Sequence, residues 1–161
     1  MDEVNVYDDE WTDGTDEPGF RNRERPLGEM LGAQKLGGTI YLIEPEQRIC
    51  PYHWHFGEEE WLLVVEGTVT LRTPDGEREL ARGAVAVFPT GPGGAHDVRC
   101  SGTEAARVLM LSTMSDPEMC VYPDSEKISA SGGFLRTDGA RARLLNRQGG
   151  NLQYFDGERS E

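Results

Sequence analysis

The sequence predicts an all-β protein built as a sandwich or barrel. Short apolar runs recur along the chain, and turn-forming residues separate them; the chain holds 20 glycines and 9 prolines. No segment shows the sustained 3.6-residue spacing of apolar side chains that indicates a long helix. Many short strands with glycine and proline between them are typical of sandwiches and barrels. No internal repeat is present, so we expect one barrel of roughly six to eight strands.

The predicted strands follow one another at short intervals. They cover residues 31–36, 39–43, 61–65, 68–73, 77–80, 84–88, 96–100 and 107–113. The pair Gly37-Gly38 separates the first two strands and favours a tight hairpin turn. The Pro-Asp-Gly sequence at 74–76 predicts another turn, directly before the strand at 77–80.

Residues 1–30 are predicted to form an N-terminal acidic arm. The first twenty residues carry eight acids and no base, which favours a solvated, partly disordered segment at 8–19. Alternatively, the apolar side chains of the arm dock on the barrel or on a partner subunit. These side chains are Val4, Val6, Tyr7 and Trp11. A basic cluster follows and predicts a surface patch: Arg21, Arg23 and Arg25.

The barrel core is expected at 31–114, followed by an irregular C-terminal extension at 115–161 that packs on or near the barrel. Turns are indicated at 116–117 and 122–125. Residues 141–147 favour one short helical turn, and residues 152–155 favour a final strand or a docking segment.

Composition argues against several classes of function. The formal net charge is −13, and nucleic-acid binding needs a basic face. No apolar run approaches the length of a membrane span, and the N-terminus lacks the features of a secretory signal. An odd number of cysteines predicts free thiols in a reducing cytoplasm; they are Cys50, Cys100 and Cys120. We therefore expect a cytoplasmic protein that binds a small molecule.

All three histidines lie in two short stretches that point to a metal site. His53 and His55 share one face of an extended strand, and Trp54 points to the other. A turn then returns the next strand beside them and brings a glutamate to the same ion. His96 closes the second stretch. Surface polar residues on a sheet edge are the alternative, which we disfavour because three imidazoles converge with an acid.

The two stretches resemble the two signature motifs of the cupins, which are small barrels of the jelly-roll or double-stranded β-helix type. In the first motif, six residues lie between the glutamate and a closing glycine, so Gly67 selects Glu60, with Glu59 as the fallback. The second motif is matched by Gly83, Pro89, Gly91 and His96. The resemblance covers about residues 32–113. It implies a single cupin barrel.

The resemblance also implies a metal centre and a homodimer. The ligands would be His53, His55, Glu60 and His96, and the cofactor one divalent ion of Mn, Fe, Ni or Zn. The chain departs from the motifs at Gln47, at Cys100 and in a loop lengthened by two residues between Gly91 and His96. None of these departures removes a ligand; they concern the rim of the pocket.

Strand parity suggests which side chains line the barrel interior around the ion. The candidates are Tyr41, Leu62, Val64, Phe88, Val98 and Cys100. An interior of this kind suits a small organic ligand that binds the metal through oxygen. Tyr41 is a possible proton carrier or a plain core residue, and Cys100 is interpreted as a small buried hydrophobe. Glu58 and Glu59 are expected to point outward, and residues 122–127 either cover the barrel mouth or form only a turn.

We expect an enzyme that uses the ion on an oxygen-bearing small substrate, as a dioxygenase, decarboxylase or isomerase. No serine–histidine or cysteine–histidine nucleophile pair is expected, because all three histidines are assigned to metal. A non-catalytic binder or sensor is the main alternative. A sugar or sugar-phosphate isomerase ranks lower, because Lys35 and Lys127 are the only lysines and Arg48 and Arg99 have the wrong strand parity.

Overall fold

The computed structural model describes residues 3–133 and 142–154, and antiparallel strands make up most of the protein. The strands are β1 (Asp13–Thr15), β2 (Asn22–Arg25), β3 (Leu36–Ile43), β4 (Trp54–His55), β5 (Glu60–Glu66), β6 (Thr68–Thr73), β7 (Gly76–Ala81), β8 (Val85–Phe88), β9 (Asp97–Cys100), β10 (Ala106–Thr113), β11 (Glu118–Tyr122), β12 (Lys127–Gly132) and β13 (Ala142–Arg147). The helical segments are α1 (Leu27–Met30) and 3-10 turns at Pro92–Gly94 and Pro123–Ser125. The predicted all-β class is confirmed.

The strands form two layers with the core between them. The first sheet has the order β1-β2-β3-β10-β5-β8. The second layer contains β7-β6-β9 and β4-β11-β12-β13. Residues 46–53 join these two groups, because the Ile49 N–H donates to the Val98 carbonyl and the Cys100 N–H donates to that of Gln47. The result is the predicted jelly-roll barrel.

The core draws on both layers. In β6 and β8 buried residues alternate with more accessible ones, as expected for strands with one face inward. The buried cluster contains Ile43, Leu62, Val64, Ala86, Phe88, Ala106 and Val108 from the first sheet and Val69, Leu71, Val98 and Cys100 from the second layer. Burial of each large aliphatic side chain contributes about 1.5–3 kcal/mol. This core fixes the spacing of the layers that carry the histidines.

The N-terminal arm is folded against the barrel. Strand β2 pairs with β3 and β1 pairs with β2, so both strands extend the first sheet and the partial disorder predicted for 8–19 was wrong. Val4, Val6 and Trp11 pack on a second apolar cluster that includes Ile40 and Val65. The arm therefore docks on its own barrel, which was the alternative considered for these apolar residues.

The basic cluster after the arm does not form one surface patch. Arg21 and Arg23 do lie at the surface, in ion pairs with Glu44 and Asp16. Arg25, in contrast, is 2% exposed, and its guanidinium donates to backbone carbonyls of the arm. Arg23 and Arg25 share one face of β2, so strand alternation does not separate them; Arg25 is buried because arm residues Asn5 and Asp8 lie against its guanidinium.

The hairpin predicted around Gly37-Gly38 was wrong. β3 runs without a break through both glycines, and α1 with a following turn replaces the strand predicted at 31–36. Neither glycine has the positive φ that a hairpin turn needs. The absence of side chains serves packing against β10 instead: a Cβ added at Gly37 would lie 2.7 Å from Ser112 Oγ, and one at Gly38 would lie 3.2 Å from Leu111 Cδ2.

The C-terminal extension is more regular than the sequence indicated. β11, β12 and β13 form antiparallel ladders, and β11 also pairs with β4. The helical turn predicted at 141–147 was wrong for 142–147, because pairing with β12 makes this segment a strand; residue 141 lies outside the described residues. Residues 152–154 do not form a strand, and Leu152 and Tyr154 are 81% and 90% exposed. Residue 155 lies outside the described residues.

Within 3–133 and 142–154, no helix is both long and apolar enough to span a lipid bilayer.

Candidate metal centre

Two segments that run from the first sheet to the second layer pair with each other through their backbones, and this pairing brings the histidines together. His53 and His96 form an antiparallel bridge in which each N–H donates to the other's carbonyl, at 3.1 and 2.9 Å. His55 follows on β4, two residues after His53, and its side chain therefore returns to the same face. Glu60 is the first residue of β5 and faces the three imidazoles from the other layer.

The side chains of these four residues converge on one point. The Glu60 Oε2 atom lies 3.1 Å from His55 Nε2, 3.2 Å from His96 Nε2 and 3.9 Å from His53 Nε2. The Nε2 atoms of His53 and His55 are 2.9 Å apart. Glu59 is exposed and accepts a hydrogen bond from the Trp61 indole instead. The geometry therefore favours Glu60 over the fallback Glu59.

Backbone carbonyls determine which nitrogen of two imidazoles carries the hydrogen. His53 Nδ1 lies 3.0 Å from the Pro51 carbonyl oxygen, and His96 Nδ1 lies 3.0 Å from that of Gly94. A carbonyl oxygen only accepts hydrogen bonds, so each Nδ1 is the donor. Each Nε2 then directs a lone pair toward Glu60. Gly94 allows this contact, because a Cβ there would overlap the Pro89 carbonyl.

The third imidazole is supported by the C-terminal extension. His55 Nδ1 lies 3.3 Å from Glu118 Oε1 and 3.2 Å from Cys120 Sγ, both on β11. Glu118 is 6% exposed and accepts further hydrogen bonds from the backbone N–H groups of Phe56 and Gly57. A carboxylate so held can only accept from His55 Nδ1, which again leaves the Nε2 lone pair for the centre.

Glu58 does not point outward as predicted. One of its oxygens accepts a hydrogen bond from the Ser115 N–H, and the other lies 3.9 Å from His55 Nδ1. Burial is the main effect on Glu58 and raises the pKa of its carboxyl. Glu58 therefore adds a further carboxyl to the outer surroundings of His55.

The centre attracts positive charge. Burial alone would raise the pKa of Glu60, but the contacts with His55 and His96 outweigh burial and hold that pKa well below its usual range. Burial also favours neutral imidazoles and, with His96 and His55, lowers the pKa of His53 to about 4. Burial also lowers the pKa of His55, but contacts with Cys120 and Glu60 outweigh burial and raise that pKa to about 11.

The donor set fits a divalent transition-metal ion. Glu60 Oε2 and His96 Nε2 are buried and have no hydrogen-bond partner among the described residues. Buried polar atoms of this kind need an explanation, and an ion provides one. Three imidazole nitrogens with one carboxylate oxygen suit Mn, Fe, Ni or Zn, whose ligand distances of about 2.0–2.2 Å agree with donors roughly 3–4 Å apart.

A second group of three donors lies within 4.8 Å: His55, Glu118 and Cys120. It shares His55 with the first centre but offers Nδ1 instead of Nε2. An ion there would have to displace the hydrogen that His55 Nδ1 donates, and Glu118 already binds backbone N–H groups. The first centre is therefore the better candidate, because its Glu60 Oε2 and His96 Nε2 atoms are buried without a hydrogen-bond partner among the described residues.

A cavity of about 210 Å³ opens beside the four converging residues. Tyr41 and Val98 line it, as predicted from strand parity. The lining also includes four residues that the sequence interpretation missed: Glu24, Ile49, Cys50 and Met110. Glu24 was missed because β2 was assigned to the arm, and its pairing with Tyr41 is a long-range contact that no local pattern reveals.

Four residues predicted to line the pocket lie in the core instead. Leu62, Val64 and Cys100 are fully buried, so the interior closes behind the metal centre. Strand parity gave the correct face for them but not the depth of the cavity. Phe88 is nearly buried too, and its ring stacks on His96 with centroids 3.8 Å apart. Cys100 packs as the small hydrophobe expected from its residue type.

The loop at 122–127 does not line the cavity. The Tyr122 ring packs on His53 with centroids 5.8 Å apart. Asp124 in the 3-10 turn forms a bidentate pair with Arg72, at 2.6 and 2.9 Å. This segment therefore supports the metal centre through Tyr122 and otherwise forms a turn.

Two cysteine thiols lie beside histidines, although no cysteine–histidine nucleophile pair was expected. Cys50 Sγ lies 3.5 Å from His53 Nδ1, and Cys120 Sγ lies 3.2 Å from His55 Nδ1. Burial raises the pKa of Cys50 above its usual range, so this thiol keeps its proton at neutral pH. A protonated thiol beside a hydrogen-bearing Nδ1 is not an activated nucleophile.

Comparison with known proteins agrees with this architecture. The cupin domain family matches residues 39–112. A solved structure from Acidithiobacillus ferrooxidans, provisionally assigned as a sugar phosphate isomerase, is 28% identical over 79% of this chain and 78% of its own, with a TM-score of 0.68. A sugar phosphate isomerase of the cupin superfamily from Silicibacter pomeroyi is 21% identical over 96% and 98% of the two chains, with a TM-score of 0.78.

A third solved structure, the polyketide cyclase RemF from Streptomyces resistomycificus, is 23% identical over 71% of this chain and 80% of its own, with a TM-score of 0.58. No functionally curated protein matches this chain significantly. The domain match, the motif spacing and the two-layered antiparallel barrel lead to the same conclusion: residues 39–112 of this chain form a cupin domain.

Proposed function

We propose that this cupin is a metal-dependent enzyme acting on a small oxygen-bearing molecule. The observation that carries the proposal is the convergence of three Nε2 lone pairs with the Glu60 carboxylate at a buried point. Electron pairs facing one another repel unless a cation lies between them. A purely structural role does not explain this ligand set, because a cavity that could hold a small molecule opens directly beside it.

The chemistry divides between the ion and the protein. A divalent ion held by His53, His55, Glu60 and His96 would supply Lewis acidity toward ligand oxygens or, as iron, redox chemistry with O2. The protein's own part is to orient the imidazoles through Pro51, Gly94 and Glu118 and to exclude water with the apolar walls of the cavity. Cys50, whose pKa burial raises, remains protonated and takes no nucleophilic role.

An isomerase acting on phosphorylated sugars is the weaker candidate. The names of two structural neighbours favour it. Among the described residues that line the cavity, however, none is an arginine or a lysine. A phosphate group would therefore meet no cationic side chain there and would rely on the ion alone.

We also propose a homodimer, formed through the outer face of the first sheet in the reducing compartment that three free thiols favour. Trp61 lies beside Val87 and Leu111 on neighbouring strands, and the three are 47%, 49% and 37% exposed. Apolar side chains clustered on one face are typical of protein interfaces. Sedimentation equilibrium should give twice the chain mass, and Trp61→Lys should reduce it to one; a monomeric wild type would contradict the dimer.

The first prediction concerns the ion itself. Full-length protein purified without chelator should contain about one transition-metal ion per chain, because the four donors form one site. Glu60→Gln removes a charged ligand and should weaken zinc binding, measured against a competing chelator, more than about 100-fold, since even outer contacts are worth roughly 10–100-fold. Glu59→Gln is the matched control and should bind zinc like wild type. A folded protein that stays metal-free after reconstitution would refute the centre.

The second prediction concerns the support of His55 by Glu118. Glu118→Gln keeps the shape of the side chain but removes the charge that holds the Nδ1 hydrogen, so zinc affinity should fall roughly 10–100-fold. The readout specific to positioning is ¹⁵N NMR of the zinc-loaded protein. Wild-type His55 should show an Nδ1–H proton that exchanges slowly with water, and the variant a faster exchange. Equal affinity and equal exchange in both proteins would limit Glu118 to a structural role in the 56–57 turn.

The third prediction concerns turnover. Iron, manganese, nickel and zinc forms should be screened with small diketones, phenols, hydroxy acids and sugars. At least one pairing should turn over, and chelation or His96→Ala should abolish the activity because the reaction depends on the ion. Cys100→Ser, a core change away from the cavity, should keep most of it. Turnover that survives complete metal removal would refute the mechanism, and binding without turnover in every form would favour a sensor.

A further inference from the structure

A carboxyl group faces the cavity from outside the matched cupin domain. Glu24 lies on β2, which precedes residues 39–112, and pairs directly with Tyr41 on β3. Directly paired residues on adjacent strands point to the same face. Both side chains accordingly line the cavity that contains the metal centre.

The Glu24 carboxyl has no hydrogen bond or ion pair with any other residue in the described part of the chain. Its apolar surroundings in the cavity are Ile49, Val98 and Met110. A half-buried carboxyl without a donor is costly for the fold, so its presence needs a reason. Burial, followed by the nearby charge of Asp13, raises the pKa of Glu24.

Tyr41 places a second polar group on the same wall. Burial, with Glu24, Cys50 and Glu60, raises the pKa of Tyr41, so the phenol stays neutral and can donate or accept a hydrogen bond. Tyr41, Glu24 and Glu60 line the same cavity, so the phenol lies near this carboxyl and near the candidate metal centre. The cavity therefore has a metal-binding end and a wall with two oxygen groups.

We propose that Glu24, with Tyr41, recognises a hydroxyl or carbonyl group on an uncharged small molecule whose other oxygens bind the ion. This inference rests on the proposed function, because it assumes a ligand held at the metal centre. It makes Glu24 a determinant of substrate class. An anionic group in the same position would meet a carboxyl and no cationic side chain among the described lining residues, so phosphorylated or carboxylated ligands are selected against.

Three catechols that differ only at the far end of the ring separate the claim about Glu24 from the claim that ligands bind the ion through oxygen. All present the same pair of oxygens to the ion; 4-hydroxymethylcatechol adds a hydroxyl, 4-methylcatechol adds an apolar group, and 3,4-dihydroxybenzoate adds an anion. Full-length iron-loaded protein should be titrated with each, following the visible charge-transfer band. Wild type should bind the hydroxymethyl compound about tenfold more tightly than the methyl compound, as one hydrogen bond to a charged or strongly polar group predicts. The benzoate should bind most weakly.

Variants at Glu24 then test the residue. Glu24→Ala should bind the hydroxymethyl compound about tenfold more weakly and the methyl compound unchanged, with full iron content. Glu24→Lys should reverse the order in favour of the benzoate. The proposal is overturned if Glu24→Ala keeps the wild-type order, or if wild type prefers the benzoate. If iron binds and none of the catechols does, ligand binding through oxygen fails as well, and the proposed function falls with it.

A stability measurement needs no ligand and guards against misfolded variants. The folded protein disfavours the charged form of Glu24, so wild type loses stability as pH rises above the ordinary carboxyl range. Glu24→Gln should therefore melt at a higher temperature than wild type at pH 8, with the difference shrinking toward pH about 4, where both side chains are neutral. The titratable groups nearest Glu24 are Asp13, Tyr41 and Cys50, and burial raises the pKa of both Tyr41 and Cys50. The other titratable residues of the cavity, His53, His55, Glu60 and His96, are the same in wild type and variant. A lower melting temperature for Glu24→Gln at pH 8 would mean that Glu24 serves the fold and would overturn the proposal.

Discussion

The mutual backbone pairing of His53 and His96 is the constraint on which the candidate site depends. These residues come from separate motifs, and their two reciprocal hydrogen bonds fix the distance between them. With that bridge in place, strand alternation brings His55 to the same face, and the closed core sets the distance to Glu60 on the opposite layer. The carbonyls of Pro51 and Gly94 lie beside the bridge and orient the rings, so one local pairing determines both the position and the tautomer of two ligands.

The segments that flank the cupin domain complete the site. The N-terminal strand β2 provides Glu24 for the cavity wall, and β11 in the C-terminal extension provides Glu118 and Cys120 behind His55. The domain alone supplies the four converging donors, which are common to a fold that hosts many chemistries. The unpaired carboxyl of Glu24 comes from outside the domain, whereas the other described lining residues, none of them an arginine or a lysine, lie within residues 39–112. The proposed contribution of Glu24 to ligand choice therefore comes from the N-terminal extension.

Local spacing was sufficient to predict part of this arrangement. The all-β class, most strands of the barrel and the convergence of His53, His55 and His96 with Glu60 follow from alternation and motif spacing, both short-range properties. Most of the errors involve contacts that are distant in sequence. Gly37-Gly38 resembles a hairpin turn but continues β3, where it packs against side chains of β10. Glu24 joins the cavity only through the pairing of β2 with β3, and β13 is a strand because β12 lies beside it.

X-ray absorption at the metal edge of the reconstituted full-length protein tests the central claim most directly. The account predicts a first shell of nitrogen and oxygen atoms only, with the multiple-scattering pattern of about three imidazoles and no sulfur at the roughly 2.3 Å typical of a metal–thiolate bond. Loss of one imidazole from that pattern in His96→Ala would assign the shell to this centre. A sulfur neighbour would instead move the ion to the group formed by His55, Glu118 and Cys120 and would contradict the account.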